Sequence, residues 1–210
     1  MNIEMSTIKL LGAAQLLVII GGVISERLLA TAVGSGNISD MLVNISSNLT
    51  RMRTNNLVAL GQSLAIVVLG VLYYIVFNKQ YSIITLVALG LSLAAAVTLA
   101  VSKIGANGLI PLSQKFVGAG APEDSYFQTL GDFLYWGVDR QGYDIHVLFT
   151  CLSLALWNYL LYVSRYVPRA ISIWGLVAIC FLTISVLLVL YNRDFRDSPA
   201  MLLAIPYAPY

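Results

Sequence analysis

Charged side chains are scarce in this chain: 10% of its 210 residues are Asp, Glu, Lys or Arg, against about 25% in soluble domains. Together with a mean hydropathy of +0.82, this scarcity excludes water as the main solvent. The formal net charge of +2 and the lack of any block of like charges argue against a polybasic arm, so nucleic acid is not an expected partner. Two cysteines, Cys151 and Cys180, both fall inside apolar runs, where a thiol is expected to act as a small buried hydrophobe rather than half of a disulfide. The single histidine, His146, has no cysteine or carboxylate at ligand spacing beside it, which leaves a zinc site without support. No G-x-S-x-G, H-E-x-x-H or Walker-type loop is present, and Gly118-Ala119-Gly120 follows no strand, so the common hydrolase, metalloprotease and nucleotide-binding chemistries are not indicated. No cofactor or metal is expected.

What the chain has is long apolar runs. Leu57–Phe77, Tyr81–Ser102, Ile145–Val163 and Ala170–Tyr191 each meet the length of about 20 residues that a helix needs to cross the hydrocarbon core. A fifth run, Leu10–Ser25, reaches that length by extending through Ile8 and Leu28. Continuous apolarity suits helices, because membrane-barrel strands alternate over about ten residues. The expected fold is therefore all-α: a polytopic transmembrane bundle of about five spans, near 8–28, 57–77, 81–102, 145–163 and 170–191. The first run also has the look of a signal-peptide core with Ala30-Thr31-Ala32 as a cleavage pattern. Glu26-Arg27-Leu28-Leu29 sits awkwardly before such a cut, so retention as the first span is expected.

Gly34–Gly36 should end the first helix, and Asn37–Arg53 then carries Ile38, Met41, Leu42, Ile45, Leu49 and Met52 at helical spacing. Its polar face is Ser and Asn rather than Lys, which suits a helix lying on the bilayer or capping the bundle. The patterns Asn37-Ile-Ser, Asn44-Ile-Ser and Asn48-Leu-Thr match a glycosylation acceptor, but so Asn- and Ser-rich a stretch produces them by chance. Asn78-Lys79-Gln80 leaves room only for a tight hairpin. Lys103–Asp144 reads as a long connection holding many of the acids, with a second interfacial helix through Tyr126, Phe127, Leu130, Phe133 and Leu134, and Trp136 and Tyr143 beyond. A second hairpin, Ser164–Arg169, places Pro168 in the first turn of the last span. Met201–Ile205 is too short to cross, and Pro206 and Pro209 stop it from lengthening.

Basic residues set orientation. Lys9, Lys79, Arg165 and Arg169 are concentrated in short segments on one side, whereas Arg27, Arg51, Arg53, Lys103, Lys115, Arg140, Arg193 and Arg196 are diluted over long ones. A multi-pass protein of the cell membrane with a cytoplasmic N-terminus is expected.

Polar residues inside spans are functional candidates by default. At about 100° per residue, His146, Thr150, Ser153, Trp157 and Ser164 form a stripe on the fourth span, with Asn158 to one side. Asn55, Gln62 and Tyr73 share a face of the second span, and Glu26 is the acid near the end of the first. The stripe is expected to face the bundle interior, toward the polar face of the second span. Gln15, Gln62 and Asn158 are expected to bond neighbouring helices, and Gly90, Ala94 and Thr98 to let a helix approach closely on the third span.

Two stretches carry a resemblance. Ala13–Phe77, including Gln15-Leu-Leu-Val-Ile-Ile-Gly-Gly-Val-Ile-Ser-Glu26, resembles the N-terminal half of the domain of unknown function 4386 family, small bacterial integral membrane proteins. His146 followed by Asn158-Tyr159-Leu-Leu-Tyr-Val-Ser164-Arg-Tyr-Val-Pro168-Arg169 is similar to that family's histidine, then G-Y-L-x-Y-x-S, then Pro-Arg. The chain departs from the pattern with Asn158 in place of glycine and again near Ser172. The resemblance also implies a sixth helix, which the residues after Tyr191 do not supply. It implies architecture and no activity. The leading expectation is thus a non-catalytic accessory or partner-binding membrane protein whose partners are the lipid bilayer and either a second copy or another membrane protein. The alternative is a small-molecule transporter or ligand binder, and the third an intramembrane enzyme pairing His146 with Glu26.

Overall fold

The computed structural model describes residues 5–122 and 125–198, and among these there is no strand. Helix α1 (Met5–Val33) ends at Gly34, whose φ of +70° is a left-handed conformation that costs glycine nothing. The Val33 carbonyl, left open by that ending, accepts the side-chain amide of Asn44 at 3.1 Å. Asn37 then caps α2 (Ile38–Ser47) in a reciprocal box with Asp40, by bonds of 3.0 and 3.1 Å. The amphipathic run is cut at Asn48, where φ −124° and ψ 36° leave the helical region, so Leu49 and Met52 belong to the next helix. Helix α2 turns Leu42 and Ile45 into a buried core.

Helix α3 (Leu49–Gly118) has 70 residues. At 1.5 Å each that would be about 105 Å, more than three times the roughly 30 Å hydrocarbon thickness. It is broken at Tyr81 (φ −137°, ψ 50°), where the chain reverses. A Cβ on Gly70 would lie 3.0 Å from that of Ser92, and Asn56 bonds Asn107 at 2.9 Å; both pairs are centred on residue 81. The hairpin expected at Asn78–Gln80 is this single-residue break.

Beyond the hairpin, the structure corrects two expectations. Residues 103–118 continue the helix rather than open a loop, and Pro111 is accommodated inside it because its ring lies on the exposed face, while Lys103, Ala106, Leu109, Ile110, Leu112 and Phe116 are buried. On 82–118 the small side chains that pack include Thr85, Ala88, Ser92, Ala95, Ala96, Ser102 and Ala106; Ala94 and Thr98 are half-buried, whereas Gly90 has open space around it.

Helix α4 (Tyr126–Asp132) runs without interruption into a π-helical segment, Phe133–Arg140, and then into α5 (Gln141–Ser164). The helix expected in the third connection is present, and it extends the fourth span. Pro168 is the N-cap of α6 (Arg169–Tyr191), and Asn192 caps a final 3-10 turn, Arg193–Asp197. The Met201–Ile205 run, with Pro206 and Pro209, lies outside the described residues.

Four helical stretches, Lys9–Val33, Leu49–Gly118, Tyr126–Ser164 and Arg169–Tyr191, are long and apolar enough to cross a membrane. With the second of them folded at Tyr81, the chain is a multi-pass helical membrane protein.

The chain forms two compact units. Among the described residues the first takes 5–13, Ile66–Ala96 and 144–198; the second takes Ala14–Ala65 and 97–122 with 125–143. In the second, Leu29, Ala32 and Val33 of α1 pack with Leu42, Ile45, Met52, Leu109, Phe116 and Phe127. Exposed side chains on this unit change character along both arms of α3. Leu57, Leu60 and Leu64 give way to Arg51, Arg53 and Thr54, and Val97, Val101 and Ile104 to Asn107, Gln114 and Lys115. In the first unit Tyr73, Phe77 and Trp157 form a stack edged by Tyr166. Cys151 is buried there, whereas Cys180 is exposed, contrary to expectation.

Candidate functional site

The polar groups of the second unit close on one another in a ring. Ser25 Oγ on α1 donates to Asn55 Oδ1 at 2.7 Å, Asn55 Nδ2 to Asn56 Oδ1 at 3.2 Å, and Asn56 Nδ2 to Asn107 Oδ1 at 2.9 Å. Asn107 Nδ2 in turn donates to the Lys103 carbonyl at 2.9 Å. The Lys103 ammonium grips Asp139 at 2.6 Å, Arg140 Nε reaches the other oxygen of Asp139 at 3.4 Å, and the Arg140 fork meets both Glu26 oxygens at 3.3 Å. Glu26 follows Ser25 in sequence, so the circuit is complete. It links α1, both arms of α3 and the π-helical segment.

Two cations and two anions make this set electrically neutral. Asp139 is fully enclosed and Lys103 nearly so, while the Glu26 side chain keeps 41% of its surface exposed. Taking such charges out of solvent is expensive, and pairing with further hydrogen bonds is what offsets that cost. The tyrosine rings of Tyr135 and Tyr143 lie 5.9 and 5.2 Å from the Arg140 guanidinium carbon, adding attraction from their electron-rich faces.

Close backbone approach positions the charges. A Cβ on Gly105 would sit 2.5 Å from the Leu134 carbonyl oxygen and 2.9 Å from the Asp139 nitrogen, and one on Gly142 would sit 2.8 Å from Ser102 Cβ. These glycines let the π-helical segment lie directly on α3. Gln62, half-buried, covers Gly21 and Gly22 of α1 in the same manner, since a Cβ on Gly22 would be 2.9 Å from its Nε2.

The first unit holds the stripe of α5. His146 Nδ1 lies 2.8 Å from the Ala95 carbonyl; a carbonyl can only accept, so Nδ1 carries a proton. Thr150 Oγ1 lies 3.5 Å from the same nitrogen. Ser153 Oγ and Ser92 Oγ are 2.6 Å apart, Trp157 Nε1 donates to Ser92 Oγ at 3.3 Å, and the Tyr73 ring stacks on Trp157 with centroids 4.9 Å apart. His146, Ser153 and Trp157 are buried and Thr150 is half-buried. Asn158 is buried as well, its amide donating to the Leu154 carbonyl at 2.9 Å.

Of the remaining family-like residues, Tyr159 is exposed, Ser164 Oγ donates to the Leu161 carbonyl at 3.3 Å, and Arg169 lies over the Tyr162 ring at 5.4 Å. Asp144 forms an ion pair with Arg196. Glu26 and His146 fall in different units, each with the partners just named. Among the described residues no group of three His, Cys, Asp or Glu side chains is placed to hold a metal.

From sequence alone Lys103 and Arg140 read only as loop charges, and Asp139 goes unnoticed. For Lys103 a signal existed, since Ala95, Ala96, Leu99, Ser102, Lys103 and Ala106 repeat at helical spacing beyond the expected end of the span. Asp139 and Arg140 gave none, because a π-turn breaks the 3.6-residue period on which the reading relies.

A search of curated proteins and a search of solved structures each returned no match. The family model described as domain of unknown function (DUF4386) matches residues 10–209. The chain belongs to that family.

Proposed function

We propose that the protein acts as a non-catalytic accessory or partner-binding component of the cell membrane, with the N-terminus on the cytoplasmic side. One observation supports this reading above others: the four charges Glu26, Lys103, Asp139 and Arg140 are engaged in holding helices together. Glu26 binds the fork of Arg140, and Lys103 and Asp139 neutralise each other. Groups committed to such networks rigidify a bundle, whereas an acid–base pair needs an atom free to take a proton from a substrate. The ligand-binding reading has one specific support, the Ser172 hydroxyl, which is buried without a hydrogen-bond partner.

Photo-crosslinkers placed singly at the exposed positions Asp40, Thr54 and Gln114 test the proposal in native membranes. A discrete adduct, identified by mass as a second copy of the chain or as one other membrane protein, is expected, and it should persist in Glu26→Gln and His146→Asn variants that insert normally. The reading is overturned if no position gives an adduct and the purified protein is instead stabilised against heating by a small molecule.

A further inference from the structure

We propose that Phe133–Arg140 is a two-state segment, held as a π-helix by the ion pairs of Asp139 and Arg140, which tightens to α-helix when α1 releases Arg140. The inference stands apart from the partner-binding reading, since it concerns how a movement of α1 is passed to the rest of its unit.

Wide π-turns are rare and occur mostly as single-turn bulges, often at functional sites. Here the segment covers eight residues, and at its end the Gln141 amide donates to the Trp136 carbonyl five residues back. Nothing local compels it, for Phe-Leu-Tyr-Trp-Gly-Val-Asp-Arg contains no proline. The constraint comes from the partners. A wider turn advances less per residue than the roughly 100° of an α-helix, so the consecutive residues Asp139 and Arg140 are both buried, one against Lys103 of α3 and the other against Glu26 of α1.

The other end of the segment is α4. Phe127 sits in the core of the second unit, Gly131 lies against Ile38 and Leu42 of α2, and Gln128 Nε2 donates to Ser39 Oγ at 2.9 Å. Tightening eight residues from π to α winding rotates α4 about its axis relative to the residues that follow and carries all three off α2. Packed interfaces of this kind switch between discrete arrangements rather than deform smoothly. Gly105 offers backbone and no side chain to the segment, so the turn moves over it without a side chain in the way. The input is Glu26, the most exposed of the four charges, on a helix held before it by Ser25 and the Gly21–Gly22 seam and after it by Leu29, Ala32 and Val33 in the core.

Hydrogen exchange of the full-length protein in lipid nanodiscs reads the state directly. Glu26→Gln should release Arg140 and slow exchange of amides 133–141 roughly tenfold as the segment closes to α-helix, while leaving 82–96 unchanged. Arg140→Gln should do the same, and adding Glu26→Gln to it should change nothing further. Deletion of the exposed Gly137 removes the additional residue of the wide turn; that variant should be equally protected over the segment and indifferent to Glu26→Gln. The proposal fails if Glu26→Gln exchanges like wild type or faster over 133–141, slows exchange evenly along the chain, or still acts when Gly137 is absent. Should Glu26→Gln not accumulate, Arg140→Gln decides: protection over the segment supports the device, and wild-type or faster exchange there overturns it.

Discussion

Lys103 Nζ and Asp139 Oδ1 lie 2.6 Å apart with both side chains closed off from solvent, joining the second arm of α3 to a segment 36 residues further along the chain. Removing one partner leaves the other as an uncompensated buried charge. Lys103→Ala or Asp139→Ala should each lower stability by about 3–5 kcal/mol, while Lys103→Met combined with Asp139→Leu should cost far less than either. Unfolding midpoints in detergent for the two singles and the double measure this, and additive losses would contradict it.

Gly105 and Gly90 make a matched pair of substitutions. An alanine at 105 drives a methyl into the Leu134 carbonyl and the Asp139 backbone, whereas one at 90 meets nothing within 4 Å. Gly105→Ala should destabilise by about 1–3 kcal/mol through overpacking. Gly90→Ala should be neutral or stabilising by a few tenths, because alanine favours the helix. The same midpoints report both, and equal effects would show that the segment does not lie on Gly105.

His146 offers a test by shape. Its Nδ1 donates to the Ala95 carbonyl, and the Nδ2 of asparagine occupies nearly the same position. His146→Asn should therefore stay within about 0.5 kcal/mol of wild type, and His146→Phe should lose about 0.5–1.5 kcal/mol by removing that bond, the Ala95 carbonyl keeping its partner within the helix. The reverse order would mean that the imidazole matters for something other than this bond.

Orientation is open to labelling. In a chain with Cys151 and Cys180 replaced by alanine, a cysteine at Lys79 should resist an impermeant thiol reagent added to intact cells, and a cysteine at Ala119 should react. The opposite pattern would invert the topology argued from basic residues. Arg169→Lys keeps the charge and its place over Tyr162, and should insert normally.

The helical bundle was legible because apolar runs and turn residues are local signals. Gly34 stops α1, Pro168 starts α6, and the 3.6-residue repeat put His146, Ser153 and Trp157 on one face, where all three are buried. What escaped was governed by partners distant in sequence. Polarity at Lys103 suggested a span end, yet Asp139 draws that lysine inward and the helix continues to Gly118. Tyr81 alone turns the chain back, so no loop composition announces the hairpin. Asn55 and Gln62 were placed on one face, but that they meet Ser25 and the Gly21–Gly22 seam of α1 depends on which helix lies beside them.

The change from exposed leucines to exposed arginines and threonines along α3 has a thermodynamic consequence. If the leucines face lipid, the core around Leu42, Phe116 and Phe127 lies toward water, and its cohesion comes from aqueous hydrophobicity. Helices within the bilayer are held instead by van der Waals packing and interhelical hydrogen bonds. Urea weakens the former far more than the latter, so one polypeptide obeys two solvents. Denaturation should then proceed in stages: the near-ultraviolet signal of Tyr126, Phe127 and Tyr135 fades first, while far-ultraviolet ellipticity from the lipid-embedded segments persists.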